Sequence, residues 1–326
     1  MRLFRMSESG QSTLVEEPAP TPGTGQVLVR VHASSLNARD LFMLDGRYPV
    51  PPGRVPLSDA AGVVEAIGPG VTRFEVGDRV LNSFHPTWFG GPQRTPGPAY
   101  HTDLDGWLAE YVVIDQQGLV SMPAHLDFAE AATLPCAAVT AWSAVAGAGP
   151  GDTVLVQGSG GVSLFALQLA RAAGARVIAT TSSEKKAVRL LDLGASDVIN
   201  YVSTPDWGRQ VRELTDGRGA DVIVEVGGAG TIAQSIAAVA YRGVISLTGN
   251  VAPATTGLDI VDLLYAQVTL RVIGGGSRSD LEDMNRVIAA HKLRPVIDRV
   301  FPFEEALDAA SYLASGAHFG KVVISH

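Results

Sequence analysis

Gly158, Gly160 and Gly161 leave the main chain bare at three places in the run Gln157-Gly-Ser-Gly-Gly-Val162. With no Cβ in the way, a pyrophosphate can approach the backbone N–H groups there, and a helix starting at that point adds its own unpaired donors and its positive end. Further on, where an NAD site places a carboxylate for the ribose hydroxyls, this chain has Thr181, Ser182 and Ser183. A carboxylate repels a 2′-phosphate, whereas hydroxyls donate to it and Lys186 adds positive charge nearby. These residues favour NADP(H) over NAD(H). Glu184 is the contrary charge, and a solvated helix face is the plain alternative for Lys185 and Lys186. The chemistry such residues would serve is hydride transfer by a nicotinamide.

Those residues need a strand, a tight turn and a helix to hold them. Residues 153–156 are apolar or β-branched, the glycines follow, and Leu164, Leu167, Ala170 and Arg171 recur at helical spacing before Gly174. A second apolar run at 177–179 completes a right-handed βαβ unit. Ser163 stands where a third glycine is usual, small enough to pass but expected to pack the helix less closely on the strand. The alternation then continues, with helices over 184–193, 207–214 and 232–240 and strands over 197–201, 221–226, 243–248 and 268–273. That rhythm predicts a doubly wound parallel sheet, an α/β fold. Gly227, Gly249 and Asn250 follow the fourth and fifth strands, where ligands approach such a sheet, and Ile273 and Gly274 are expected to meet the nicotinamide amide through their backbone.

The N-terminal part reads differently. Val27, Val29 and Val31 alternate with Leu28, Arg30 and His32, and short strands at 61–68, 77–81 and 107–114 are bounded by turn residues. Residues 34–44 suggest a helical turn, 84–106 a long loop rich in Pro and Gly, and the alanine-rich 128–147 a helix that leads into the second domain. A β-rich, barrel-like domain follows. The tail, with strands at 296–300 and 321–325 around a helix at 304–314, falls outside the alternation and is expected to return to the first domain. The expected division is 1–122, a dinucleotide-binding domain over 123–267, and 268–326 supplying the last sheet strand and the return.

A chain of 326 residues exceeds what one core usually supports, and 46% hydrophobic with 18% charged residues is a globular composition. A net charge of -8 argues against nucleic acid or an anionic membrane as partner. Cys136 is the single cysteine, so no internal disulfide forms and a reducing compartment fits. No leader-like or membrane-length apolar run is found, and a cytoplasmic location is expected.

The chain resembles the medium-chain dehydrogenase/reductase superfamily along nearly its full length. The resemblance is carried by Gly62-Val-Val-Glu-Ala-Ile-Gly68 with Gly77-Asp-Arg-Val80, Gly106-Trp-Leu-Ala-Glu-Tyr111, Ala132-Thr-Leu-Pro-Cys-Ala-Ala-Val-Thr-Ala-Trp142, the glycine turn, Leu193-Gly-Ala-Ser-Asp-Val-Ile-Asn-Tyr201 and Phe319-Gly-Lys-Val-Val323. It implies a GroES-like catalytic domain beside a Rossmann cofactor domain. It also implies a homodimer formed by edge-to-edge extension of the cofactor sheets through 268–273.

Zinc-dependent members hold the metal with a Cys, a His with a neighbouring Glu, and a second Cys. The matching positions here are Asn37, Ser58 with Asp59, and Cys136, and the loop that carries four structural cysteines in those members has none. Only Cys136 is a competent donor, so no zinc is expected. His85, His101, Asp103 and Asp105 match no metal spacing and read as solvated loop residues; Cys136 reads as a small buried packing residue. Asn37 and Asp40 match the Asn-x-x-Asp motif of the zinc-free quinone oxidoreductase branch. The resemblance makes Asn37 a donor to substrate or cofactor and Asp40 its brace, with Tyr48, Ser58, His85 and Trp88 as weaker pocket candidates. Lys186 and Tyr201 are spaced as in NADPH-binding quinone oxidoreductases, and Thr140 falls where the family's cofactor-contacting Thr is found. Lys321 is expected at the cofactor phosphates, or else solvated beside its strand. The expected activity is NADPH-dependent reduction of a quinone, enone or enal, with alcohol dehydrogenation and a non-enzymatic NADPH- or RNA-binding role as rivals, RNA being disfavoured by the charge.

Overall fold

The computed structural model describes residues 1–7, 12–252 and 260–326. In chain order come β1 (Arg2–Met6), β2 (Ser12–Glu16), β3 (Gln26–Ser35), α1 (Ala38–Leu44), β4 (Asp59–Ile67), β5 (Arg79–Asn82), β6 (Tyr111–Asp115), β7 (Leu119–Ser121) and α2 (Phe128–Ala131). Then follow α3 (Val139–Ala144), β8 (Thr153–Gln157), α4 (Gly161–Ala172), β9 (Arg176–Thr181), α5 (Glu184–Asp192), β10 (Asp197–Asn200), α6 (Trp207–Leu214), β11 (Ala220–Glu225), α7 (Ile232–Ala238), β12 (Val239–Leu247), α8 (Ile260–Ala266) and β13 (Thr269–Val272). The chain closes with α9 (Arg278–His291), β14 (Ile297–Pro302), α10 (Ala306–Ala314) and β15 (Lys321–Ser325). They form two compact units, Met1–Val139 with Gly276–His326, and Thr140–Gly275.

In the first unit, β14, β15, β3, β4, β5 and β7 lie side by side in that order, and β6 pairs with β3. Val27, Val29 and Val31 point into a core with Val64, Val80, Trp107 and Leu119, as the alternation requires. One rung of this sheet matters for function: Ser35 on β3 faces Val323 on β15 and Asp59 on β4. The residues just beyond Ser35, the start of β4 and the start of β15 therefore converge.

Several expectations are corrected here. β1 and β2 form an antiparallel pair that the sequence reading did not separate, with Leu3, Phe4 and Met6 buried. Residues 107–109 do not belong to a strand; the Trp107 and Leu108 N–H groups go to the Pro56 and Leu57 carbonyls, Ala109 makes only an isolated bridge with Leu3, and β6 begins at Tyr111. The helix read over 128–147 is broken into α2, a π-helical turn at 134–138 and α3, because Pro135 has no N–H with which to continue α2. The boundary lies after Val139 and not after 122. The Phe128 ring stacks on His32 at 4.4 Å and the Cys136 N–H reaches Asp59 at 3.2 Å, which keeps this segment with the β-rich unit.

The second unit is a six-stranded parallel sheet in the order β10-β9-β8-β11-β12-β13. Ile178, Leu155, Ile223 and Ile245 stand in register across its four central strands, all fully buried. Helices on both faces leave no solvated side, which is why these strands read as continuous apolar runs. Strand order reverses direction between β8 and β11, the place where such sheets bind ligands. Among the described residues no helix is long and apolar enough to cross a membrane.

Candidate functional site

The glycine turn sits at the carboxyl end of β8. Gly158 adopts φ +71°, which favours glycine, and a Cβ built on Gly158 or Gly160 would meet no atom within 4 Å. The backbone is open to a ligand there, and Gly160 caps α4, whose first turn holds Gly161 and Val162. Ser163 does more than fit: its Oγ donates to the Gln157 carbonyl at 2.5 Å, which fastens α4 to β8 where a third glycine would only allow approach.

Of the other expected cofactor residues, those from Thr181 to Gly274 lie at or just beyond the same ends of the strands. Thr181 ends β9, and its carbonyl accepts the Tyr201 N–H at 2.9 Å, which joins the ends of β9 and β10. Ser182 is exposed and Lys186 lies in the first turn of α5, whereas Thr181 is only 1% exposed, so its hydroxyl is not open to solvent. Asn250 Oδ1 accepts from Ala229 N at 3.1 Å and holds the turns after β11 and β12 together, with Gly227 and Gly249 inside them. The left-handed residue of that turn is Gly228, φ +72°, a neighbour the sequence reading missed. Ile273 donates its N–H to Leu247 at 2.9 Å, Gly274 follows it, and Thr140 is buried on α3. A cavity of about 720 Å³ lined by Arg212, Asp221, Tyr241 and Tyr265 lies at the opposite ends of the strands, away from all of these residues.

Beneath the turns is a network that the sequence did not announce. Glu225, fully buried, accepts from Gln157 Nε2 and Gly228 N at 2.8 Å and from Thr231 and Ser235 hydroxyls at 2.5 Å. Four donors hold one carboxylate, which couples the end of β8 to the end of β11.

In the first unit Asn37, Asp59 and Lys321 form a chain of hydrogen bonds. Lys321 Nζ donates to Asn37 Oδ1 and to the Leu36 carbonyl, both at 2.6 Å, and Asn37 Nδ2 donates to Asp59 Oδ2 at 3.0 Å. Ser58 Oγ donates to Asp59 Oδ1 at 2.7 Å, and the Cys136 N–H to Asp59 Oδ2. Asp59 and Ser58 are fully buried, Lys321 is 4% exposed, and Asn37 and Cys136 are partly open. Burial pushes the Asp59 carboxyl up to about 6, against the pull of Lys321, and burial pushes the Lys321 amine down, against Asp59. Lys321 is thus neither solvated nor presented to a phosphate; both of those expectations are corrected by its two short bonds inside this unit.

Asp40 is fully buried and accepts the Asn37 N–H at 2.8 Å, which sets the start of α1. Its other oxygen faces His101 Nδ1 at 3.6 Å, and His101 Nε2 lies 3.0 Å from Met6 Sδ. His101 is therefore wholly buried, not a solvated loop residue. Cys136 is half-buried in the π-helical turn, and burial pushes its thiol well up, so it is no thiolate at neutral pH. Tyr48 is 52% exposed on the loop after α1, edge-on to Phe42 at 5.7 Å, with its N–H on the Phe42 carbonyl. The His85 and Trp88 rings pack together at 5.5 Å.

A metal does not fit the Asn37 cluster. Both ends of the Asn37 amide are engaged, Ser58 is spent on Asp59, and a lysine ammonium occupies the neighbourhood. Among the described residues no group of three or more His, Cys, Asp or Glu side chains could hold a metal ion.

A parallel sheet in this order, with a bare glycine turn at its reversal point, defines a dinucleotide-binding protein of the oxidoreductase type. Family descriptions agree: zinc-binding dehydrogenase matches residues 161–290 and alcohol dehydrogenase GroES-like domain matches 23–124. A zinc-type alcohol dehydrogenase-like protein of Schizosaccharomyces pombe is 43% identical over 316 residues, 92% of this chain and 90% of its own. A putative alcohol dehydrogenase from Sinorhizobium meliloti 1021 superposes with a TM-score of 0.93 at 40% identity, covering 100% of this chain and 98% of the other. A structure described as an NAD-dependent alcohol dehydrogenase also gives 0.93, at 35% identity with 100% of both chains covered. The chain belongs to the medium-chain dehydrogenase/reductase superfamily, as an alcohol dehydrogenase-like NAD(P)-dependent oxidoreductase with a GroES-like and a Rossmann part.

Proposed function

We propose that the protein is a zinc-independent, NADPH-dependent reductase of conjugated carbonyl acceptors such as quinones, enones and enals. The observation that carries this reading is the bonding of Asn37 to Asp59 and Lys321: Asn37, Ser58, Asp59 and Cys136 stand at the positions resembling zinc ligands, and among the described residues they offer a metal no donor set. Without a Lewis acid, oxidation of a simple alcohol forgoes the charge stabilisation its alkoxide needs. A conjugated acceptor spreads the developing charge onto a carbonyl oxygen that N–H donors can hold.

NADPH supplies the hydride when bound. Gly158, Gly160, Gly161 and Val162 receive its pyrophosphate, and Ser182, Lys186 and Tyr201 serve its adenosine end, with hydroxyls and an ammonium in place of a carboxylate, beside the buried Thr181 that ends β9. Thr140, Gly227, Gly249, Asn250, Ile273 and Gly274 line the rest of the cofactor's course along the strand ends. Asn37 donates its second Nδ2 hydrogen to the acceptor oxygen, Asp40 holds the Asn37 main chain, Ser58 holds Asp59, and Tyr48 borders the substrate. The active form is a homodimer joined through β13 in the cytoplasm.

The 35% identical NAD-dependent alcohol dehydrogenase favours a second reading, alcohol oxidation with NAD(H). Metal analysis of purified protein, combined with a screen of quinones, enones and alcohols followed by nicotinamide absorbance, separates the two. The expected result is metal-free protein that oxidises NADPH in preference to NADH with a conjugated acceptor. Zinc at one equivalent per chain, required for turnover, or a clear preference for NADH, overturns the proposal.

A further inference from the structure

We propose that Lys321 is the built-in cation of the reaction site, a positioning residue that acts through Asn37 in place of a metal's charge. This rests on the reductase reading above. Lys321 is the first residue of β15, and the rung Val323–Ser35–Asp59 brings it opposite the turn that carries Asn37. The fold builds this meeting from residues 284 apart in sequence.

Asn37 is held at both ends. Its Oδ1 can only be the acceptor, because an ammonium donates to it at 2.6 Å, and its Nδ2 can only be the donor, because Asp59 accepts from it at 3.0 Å. The amide therefore has one orientation. An ammonium on the oxygen draws electron density from the amide nitrogen and makes its hydrogens stronger donors. One of those hydrogens is used by Asp59; Nδ2 carries a second, and Asn37 as a whole is only partly buried. That second hydrogen is the group placed to meet an acceptor carbonyl oxygen as negative charge grows on it. Asp59 keeps the cation in a buried place, and Ser58 and the Cys136 N–H hold Asp59 in turn. Lys185, Lys186 and Lys292 lie elsewhere in the chain, and another cation near the cluster is Arg39, 3.9 Å from Asp40.

The test compares Lys321→Met, Lys321→Arg and the double variant Asp59→Asn/Lys321→Met in the full-length protein, with NADPH and a quinone or enone. Removing a donor that works in the transition state typically lowers kcat by about 100-fold, and acting through Asn37 sets the expectation for K321M at roughly ten- to 100-fold, with the acceptor KM little changed. K321R restores most of that loss. K321M also leaves Asp59 buried without its cation and loses thermal stability; the double variant, neutral throughout, regains the melting temperature while kcat stays low. If kcat returns together with the melting temperature, or K321M keeps wild-type kcat, Lys321 merely supports the fold and the proposal is overturned.

A readout independent of turnover keeps the two readings apart. Cys136, the only cysteine, lies in the field of this cluster, and Lys321 favours its thiolate while Asp59 opposes it. Alkylation of Cys136 at fixed pH is expected to slow several-fold in K321M and to quicken in D59N. Should wild-type protein reduce no acceptor while these rates shift, the reductase reading fails and the built-in cation stands; unchanged rates in both variants overturn the cation itself.

Discussion

Asp59 and Lys321 are ionisable groups taken out of water; burial pushes each toward its neutral form, and the charge of the other pushes each back toward the ionised one. For Asp59 the folded value, about 6, lies above the ordinary 3.8, so the fold prefers the protonated acid. Its stabilising contribution is whole below pH 3.8 and is lost as pH rises through about 6, a change on the order of 3 kcal/mol for two units. The melting temperature of Asp59→Asn relative to wild type is therefore expected to climb between pH 4 and 6 and to level off above that. A difference that stays constant over this range contradicts the assignment. A family motif pointed to Asn37 and Asp40, and Lys321 stood out in the run Phe319-Gly-Lys-Val-Val323, but as a cofactor or solvated residue and not as a partner of Asn37. Its role follows from three strands meeting in one rung, a fact of register that no window of sequence contains.

At the scale of elements, the strand and helix ends of the second unit were largely readable because a parallel sheet buried on both faces demands long apolar runs, and glycine marks where they stop. The polar ties between those ends were not. Gln157, Thr231 and Ser235 look ordinary in sequence, yet they converge on Glu225. Glu225→Gln replaces an acceptor with a donor facing donors, and urea unfolding is expected to show a loss of about 2–3 kcal/mol. Ser163→Ala removes the fastening of α4 to β8 and is expected to cost about 1 kcal/mol in the same measurement. At Gly158, φ +71° makes alanine strained by about 1–2 kcal/mol, and its methyl group would stand in the space left for pyrophosphate. Gly158→Ala is thus expected to weaken NADPH binding in a fluorescence titration; unchanged affinity would show that the turn is no phosphate cradle.

For the whole molecule, β13 is the edge of its sheet, with Leu270 37% and Val272 79% exposed, and Leu264 and Tyr265 on α8 add 71% and 81%. An apolar open edge of this kind invites pairing with another copy. Val272→Asp is expected to convert a dimer to a monomer in light scattering after size exclusion, and a monomeric wild type would remove the dimer from the proposal.

Hydropathy period and glycine placement were enough to foresee the α/β class, with a doubly wound sheet beside a β-rich part, since such patterns lie within short windows of the chain. Which buried charges face one another, that His101 lies against Asp40, and that Lys321 completes the site built around Asn37 were settled by folding, because these pairs are joined across 61 and 284 residues by strand register and packing. Burial then sets the protonation of those groups, and burial exists only once the chain has closed around them.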